Sequence, residues 1–217
     1  MLIPYQVAVP MARWPVANFV LIGVVSLISM AALLGVDSDT VETMILDDWS
    51  PTSLFGHALL HADLLHLLGN MIFLWVFGNA VCAKFGNGAY LAIFAGLAVA
   101  AATVHNLLDG APAVGASGAI NGVVGLFLVF FPRNDISCFY FFIVKVGTFT
   151  VSSGWMILLW LAFDLWGAAT GGAGVAYWAH LGGFGAGVAL GLLALQTGWI
   201  KTTSYEESIL DVMRNHA

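Results

Sequence analysis

Long apolar runs interrupted by a single charge are the feature that most constrains how this chain can fold. Six stretches approach the roughly 20 apolar residues that a helix needs to cross a hydrocarbon core of about 30 Å. They cover residues 16–34, 64–83, 89–108, 114–131, 154–170 and 175–196, and Asp164 is the one charged residue within them. Because the runs are continuous rather than alternating with period two, they predict helices.

The composition agrees with a membrane environment. Hydrophobic residues make up 60% of the chain and charged residues 8%, whereas soluble domains carry about 25% charged residues. At 217 residues we expect one domain over residues 1–217. The prediction is an all-α polytopic membrane bundle of six transmembrane helices, with a core of about 16–196 and cytoplasmic termini at 1–15 and 197–217.

The basic residues predict the orientation of this bundle. They all fall in the termini or in connections on one side of it: Arg13, Lys84, Arg133, Lys145, Lys201 and Arg214. By the positive-inside rule both termini are expected in the cytoplasm. No cleavable leader is recognised before the first run, so we expect an uncleaved signal anchor in a multi-pass protein, most simply of a prokaryotic cell membrane.

Two connections have an unusual composition. Residues 35–63 form a long, half-apolar segment that we expect to lie in the membrane interface. Residues 138–151 (CFYFFIVKVGTFTV) are rich in aromatic and β-branched side chains. Two interpretations of this second segment stay open, an interfacial segment and an extension of the fifth helix.

Polar side chains within the apolar runs are costly in lipid and indicate candidate functional groups. They are His66, Asn70, His105, Ser117, Asn121, Asp164 and His180. In the predicted topology, helices two, four and six all run inward from the outer face. His66 with Asn70, Ser117, and His180 each belong to the first turns of one of these helices, so we expect them at a similar outer depth.

Glycines at a spacing of four predict which helices touch. Gly118 and Gly122 lie on the fourth helix, and Gly183 and Gly187 lie on the sixth. Small residues at this spacing let membrane helices approach closely. Close contact there would bring Ser117 to His180, although such pairs are common in membrane helices and are weak evidence alone.

Each candidate group also has a purely structural interpretation. Ser117 could cap the helix that follows it, or it could be a nucleophile if His180 lies within hydrogen-bond reach. His66 and Asn70 share one helix face, where they could form interhelical hydrogen bonds or stabilise an oxyanion. Their convergence with Ser117 and His180 favours the catalytic interpretation.

Three motifs resemble the signatures of the rhomboid intramembrane proteases. They are residues 66–70 (HLLGN), 115–118 (GASG) and 179–187 (AHLGGFGAG), in family order on helices two, four and six. The resemblance extends from about residue 55 to 192. It implies a rhomboid-like bundle in which Gly115, Gly118, Gly122, Gly183 and Gly187 pack the helices at the site.

The resemblance also implies roles for individual residues. Ser117 would be the nucleophile and His180 its general base, in a dyad without an orienting aspartate. Asp164 is expected too deep, on helix five, to join them. His66, Asn70 and the Ser117 backbone N–H would form the oxyanion hole. His57 and His61 are expected to have structural or hydration roles.

A departure from the family pattern lies close to the candidate site. Rhomboids often carry an aromatic residue, typically Tyr, four residues after the serine, and here that position is Asn121. We expect Asn121 to neighbour His180 and to hydrogen-bond to the imidazole. A vestibule capped by the segment before helix five would supply water, and substrates would enter beside helices two and five.

The resulting hypothesis is a serine endopeptidase that cleaves in or next to transmembrane helices of membrane protein substrates. We expect no cofactor, no metal ion and no nucleic-acid partner. One alternative is a catalytically silent rhomboid-like protein that binds transmembrane helices. Less favoured are a channel or transporter, which would need symmetric broken helices, and a metal site formed by His57, His61 and His66.

Overall fold

The computed structural model describes residues 2–142, 145–203 and 206–215. The helices are α1 (Val16–Leu33), α2 (Ser38–Met44), α3 (Pro51–Gly56), α4 (Leu64–Phe73), α5 (Asn79–Phe85), α6 (Asn87–Leu108), α7 (Ser117–Phe130), α8 (Ser153–Thr170), α9 (Tyr177–Gln196) and α10 (Ile209–Asn215). A 3₁₀ turn, His57–Leu59, follows α3, and a π-helical turn, Leu74–Gly78, joins α4 to α5. The strands are β1 (Leu2–Val7), β2 (Asp135–Phe142) and β3 (Lys145–Ser152).

The prediction of a helical membrane bundle is confirmed. Within the described residues, four helical segments are long and apolar enough to cross a membrane, namely Val16–Leu33, Leu64–Phe85, Asn87–Leu108 and Tyr177–Gln196. The predicted fourth and fifth spans correspond to α7 and α8. Helix α7 has only 14 residues, because the chain before Ser117 is a loop rather than the helix expected from residue 114.

Helix α7 forms the centre of the bundle. Most of its side chains are buried, and it packs against α9 on one side and α6 on the other. At the α7–α9 contact, a Cβ on Gly183 would overlap the Gly118 carbonyl oxygen, and one on Gly187 would overlap the Gly122 carbonyl oxygen. The two backbones therefore touch directly, which is the close approach that small residues permit in membranes.

Residues 138–142 and 145–151 do not extend the fifth helix, and residues 143–144 of this segment lie outside the described part of the chain. Strand β2 pairs antiparallel with β3, and β1 completes a three-stranded sheet in the order β1-β2-β3. Phe139, Tyr140 and Phe149 lie on these strands, in keeping with the preference of aromatic side chains for strands. The sheet contacts α4 and the π turn through β1, and α8 through β2 and β3.

The termini and the predicted cytoplasmic connections lie at one end of the bundle. Lys84, at the end of α5, pairs with Glu206 at 2.5 Å, and Arg133, between α7 and β2, pairs with Glu207 at 3.0 Å. Strand β1 joins the same end by pairing with β2. The side of the membrane that this end faces remains a prediction from the positive-inside rule.

Candidate active site

Ser117 and His180 lie within hydrogen-bond distance of each other. The Ser117 Oγ is 2.9 Å from the His180 Nε2. Ser117 is the first residue of α7 and His180 lies in the first turn of α9, so the glycine contact one turn further along sets their separation. The arrangement provides a hydroxyl and a base in the geometry that activates a nucleophile.

Ser117 is not a helix cap. The N-cap residue of α7 is Ala116, and no side chain caps the helix. The Ser117 hydroxyl is directed to His180 instead, so the capping interpretation is wrong. The Ser117 backbone N–H belongs to the first turn of α7, where amides lack an acceptor within the helix and the helix dipole is positive.

The loop before Ser117 is fixed by hydrogen bonds from the segment that precedes α4. Ala113 exchanges backbone hydrogen bonds with Leu46, and the Gly115 N–H donates to the His57 carbonyl oxygen at 2.9 Å. The Ala116 N–H is directed at the His61 Nε2 at 3.5 Å. These contacts fix the loop that leads to Ser117, a structural contribution of the kind expected for His57 and His61.

The hydrogen bonds of His61 define its tautomer. The Ser29 hydroxyl donates to the Leu59 carbonyl oxygen at 2.8 Å, so it accepts from the His61 Nδ1–H, also at 2.8 Å. The Nε2 then carries the lone pair that faces Ala116. Burial, together with the neighbouring His66 imidazole, lowers the pKa of His61 from 6.5 to about 4, which keeps this ring neutral.

A cavity of about 490 Å³ opens onto Ser117 and His180. Its walls include His66, Asn70 and Asn121, together with the α8–α9 connection at residues 174–176. The vestibule is therefore bordered by the segment after the fifth helix. The expectation that the segment before that helix caps the cavity is wrong, because strands β2 and β3, which make up its described part, do not line the cavity.

His66 and Asn70 face this cavity from α4. The Asp63 side chain caps α4 by accepting from the His66 N–H at 2.8 Å, which fixes the first turn. One N–H of the Asn70 amide donates to the His66 carbonyl oxygen at 2.9 Å, and the amide has a second N–H to offer. The geometry thus brings the His66 and Asn70 side chains and the Ser117 hydroxyl to one cavity.

Gly115 has a different role from the packing role expected of it. It lies in the loop before α7 with a φ of +131°, and a Cβ there would come within 2.9 Å of the His66 ring. Glycine is required both for this backbone conformation and for the close approach of the imidazole. Gly115 therefore leaves space for the His66 ring rather than packing two helices together.

Asp164 is within hydrogen-bond distance of His180. The expectation that Asp164 lies too deep to reach the site is therefore wrong. The Asp164 Oδ1 is 2.9 Å from the His180 Nδ1. Asp164 does lie on the fifth membrane helix, α8, but α8 is placed so that this turn faces the start of α9. The Nε2 and Nδ1 of His180 therefore have Ser117 and Asp164 as their respective partners.

Asn121 lines the same cavity as His180, but it does not make the expected hydrogen bond to the imidazole. Its amide donates to the Ser117 carbonyl oxygen at 3.0 Å, one turn earlier on α7, rather than to the imidazole of His180. Both imidazole nitrogens are already engaged. His105 lies away from the cavity, where its Nε2 is 2.7 Å from the Ala111 carbonyl oxygen.

Tyr177 is the aromatic neighbour of His180 that the sequence did not reveal. The two rings are edge-on, with centroids 6.4 Å apart. Tyr177 also packs on Gly167 of α8, where a Cβ would overlap the phenol ring. The available signal was the glycine itself, since a close contact requires a residue without a side chain.

The sequence is similar to rhomboid proteins over most of the site-bearing region. The family described as the rhomboid domain matches residues 48–197. The chain is 31% identical over 155 residues to "Rhomboid protein 1, mitochondrial" of Saccharomyces cerevisiae, covering 65% of this chain and 41% of that protein. It is 30% identical over 136 residues to "Rhomboid protease GlpG" of Enterobacter sp. (strain 638), covering 63% of this chain and 46% of that protein. The chain thus spans less than half the length of these curated relatives.

Proposed function

Because the chain belongs to the rhomboid family, we propose that it is an intramembrane serine endopeptidase whose nucleophile is Ser117 and whose general base is His180. The observation that carries this proposal is the 2.9 Å contact between the Ser117 Oγ and the His180 Nε2. A family relationship alone does not distinguish a protease from a catalytically silent relative. The contact does favour catalysis, because a silent helix-binding protein has no need of it.

The proposed reaction begins with transfer of the Ser117 hydroxyl proton to His180 as the Oγ attacks the substrate carbonyl carbon. The resulting oxyanion would be held by the Ser117 backbone N–H, the free N–H of Asn70 and the His66 side chain. His180 then passes the proton to the leaving amine. Water hydrolyses the acyl-enzyme with His180 acting again as the base.

The length of α7 supports a site below the membrane surface. Its 14 residues span about 21 Å, which is less than the hydrocarbon core of about 30 Å. Ser117 is its first residue, so the helix cannot bring Ser117 to one surface while its other end reaches the opposite surface. The cavity beside Ser117 would admit water from the outer face in the predicted orientation.

The substrates are proposed to be transmembrane segments of membrane proteins. A helical segment hides its carbonyl groups in its own hydrogen bonds, so it must unwind before Ser117 can attack. Gly and Pro near the cleavage site weaken a helix and should favour cleavage. Entry would take place from the lipid, between α4 and α8, which both border the catalytic cavity or its His–Asp pair.

The test uses the purified protein reconstituted with a labelled single-span substrate. Ser117→Ala and His180→Ala should each reduce cleavage by about 10³-fold or more, whereas Ser38→Ala, on the exposed helix α2, should leave it unchanged. Cleavage that survives Ser117→Ala would refute the serine mechanism.

A fluorophosphonate probe tests the same site without a known substrate, because it reacts with an activated serine hydroxyl. The wild type should be labelled at Ser117, and His180→Ala should abolish the labelling. A folded wild-type protein that neither reacts with the probe nor cleaves any single-span substrate would instead support helix binding without catalysis.

A further inference from the structure

We propose that Asp164 is a positioning residue for His180, so that the reaction depends on a Ser-His-Asp array rather than on a dyad. This inference rests on the proposed protease function and deepens it. It assigns a role to the one charged side chain within the apolar runs. A charged group in that position is costly in lipid and calls for a specific partner.

The geometry forms a continuous chain of three groups. The Asp164 Oδ1 is 2.9 Å from the His180 Nδ1, and the His180 Nε2 is 2.9 Å from the Ser117 Oγ. The Asp164 and His180 side chains are only 16% and 14% exposed. The contact is therefore shielded, so water competes poorly for either partner.

The carboxylate selects the productive tautomer of the imidazole. An ionised carboxylate only accepts hydrogen bonds, so the His180 Nδ1 must carry the hydrogen that lies between the two groups. The Nε2 then presents its lone pair to the Ser117 hydroxyl. Without Asp164, the neutral ring would also populate the opposite tautomer, in which the Nε2 carries hydrogen and cannot take the serine proton.

The proton balance follows from this arrangement. As the bond from the Ser117 Oγ to the substrate carbonyl carbon forms, the Oγ proton moves to the His180 Nε2. The ring becomes an imidazolium, and the Asp164 carboxylate stabilises its charge without taking a proton. When the peptide C–N bond breaks, the Nε2 proton goes to the leaving nitrogen, and His180 returns to its starting tautomer.

Asp164 reaches His180 because α8 packs closely against the start of α9. Gly167, one turn after Asp164, permits this close packing, since a Cβ at that position would overlap the Tyr177 ring. Tyr177 is edge-on to His180. A side chain at position 167 would push α8 away from α9 and withdraw the carboxylate from the imidazole, so Gly167 provides a second, indirect means of testing Asp164.

The first experiment replaces the carboxylate by an amide of the same shape. Asp164→Asn should lower kcat by about 10²- to 10⁴-fold and leave KM within about threefold, because the amide can donate to the Nδ1 and favour the wrong tautomer. Labelling of Ser117 by a fluorophosphonate should slow to the same extent. The matched control is Asp109→Asn, which alters another aspartate near a histidine, His105, at 3.9 Å, and should change neither rate.

The second experiment separates positioning from a general structural role. Gly167→Ala should lower kcat at least tenfold in the wild-type background, yet less than threefold in the Asp164→Asn background, because the contact that it disturbs is already lost. Equal losses in both backgrounds would overturn the proposal. All rates are normalised to the folded fraction at the assay temperature, which is taken from the melting curve of the reconstituted protein.

The remaining outcomes are also decisive. If Asp164→Asn lowers the melting temperature but keeps kcat and labelling within threefold, Asp164 is a structural residue and the proposal fails. If Asp164→Asn does not fold, unchanged kcat in Gly167→Ala alone would overturn it. Failure of the proposed function is recognised separately, by a folded wild type that neither cleaves nor is labelled, or by cleavage that survives Ser117→Ala.

Discussion

Helix α9 packs in different ways against its neighbours α7 and α8. On one side, α9 packs against α7 backbone to backbone, through Gly183 and Gly187 facing Gly118 and Gly122. On the other side it meets α8, whose buried residues are confined to Ser153, Met156, Ile157 and Gly167. Much of α8 instead exposes large apolar side chains, including Trp155, Phe163 and Trp166.

Because of this difference, we expect the two hydrogen bonds of His180 to differ in how easily they break. The bond to Ser117 spans the α7–α9 contact, where two backbones touch and small displacements are resisted. The bond to Asp164 spans the α8–α9 contact, where Gly167 and Tyr177 provide the local packing. We infer that displacement of α8, as substrate entry between α4 and α8 would require, breaks the second bond before the first.

The largest effect is expected from a substitution that separates α7 from α9. Gly183→Ala places a Cβ against the Gly118 carbonyl oxygen, so the helices must move apart and the Ser117–His180 contact is lost. We expect destabilisation of about 3 kcal/mol or more and loss of cleavage. Thermal melting of the reconstituted protein and fluorophosphonate labelling measure the two effects.

Gly185→Ala is the matched control for this substitution. It lies on the same helix, but a Cβ there meets nothing within 4 Å. The exchange should be neutral or slightly stabilising, since alanine is the better helix former. Equal melting temperatures for Gly183→Ala and Gly185→Ala would show that the α7–α9 contact is looser than the geometry indicates.

A smaller effect is expected at acid pH from His61, whose Nε2 faces the Ala116 N–H just before α7. The pKa of His61, which lies outside the spans, is lowered from 6.5 to about 4 in the folded protein. Between these values the unfolded chain binds the proton more tightly, so the stability is complete above about pH 6.5 and falls as the pH drops towards 4. The loss should reach about 3 kcal/mol.

His61→Gln provides the comparison for this prediction. Its amide does not titrate, although it can still donate and accept hydrogen bonds. Melting curves between pH 7 and 4 should therefore be flatter for this variant than for the wild type, even if its stability at pH 7 is lower. Parallel curves for the two proteins would contradict the assignment of acid sensitivity to His61.

The smallest effect is expected at Asn121. Its amide donates to the Ser117 carbonyl oxygen within α7, and it makes no hydrogen bond to His180. Asn121→Ala should therefore change kcat by less than about threefold, compared with the much larger loss for Asp164→Asn. A loss of tenfold or more in kcat at constant melting temperature would show that Asn121 acts on the imidazole after all.

The helical bundle could be predicted because its causes are local. Each apolar run is long enough to form a helix in lipid by itself. The position of Ser117, His180, His66 and Asn70 near the start of inward-running helices predicted that they lie at a similar depth. The glycines at a spacing of four identified the helices that touch. These inferences needed only periodicity and the order of the runs along the chain.

The features that were missed depend on how separate helices and strands pack against one another. The depth of Asp164 depends on how far α8 is shifted along α9, and the Gly167–Tyr177 contact that sets this shift has no repeated pattern. The sheet joins strands from opposite ends of the α1–α7 segment. The aromatic and β-branched composition of residues 138–151 was not recognised as strand-forming, and the partner strand β1 is more than 120 positions away in sequence.

The three-stranded sheet constrains when strand β1 can pair during synthesis of the chain. The Asn134 amide donates to the Ala8 carbonyl oxygen, 126 positions earlier in the chain, and β1 pairs with β2 just beyond it. On the ribosome, β1 therefore emerges long before its neighbour and must wait while the helices up to α7 are inserted. Strand β1 can complete its pairing only after the helices up to α7 have been made. A strand that paired wrongly during this interval would delay assembly of the end of the bundle that carries the sheet and the Lys84 and Arg133 ion pairs.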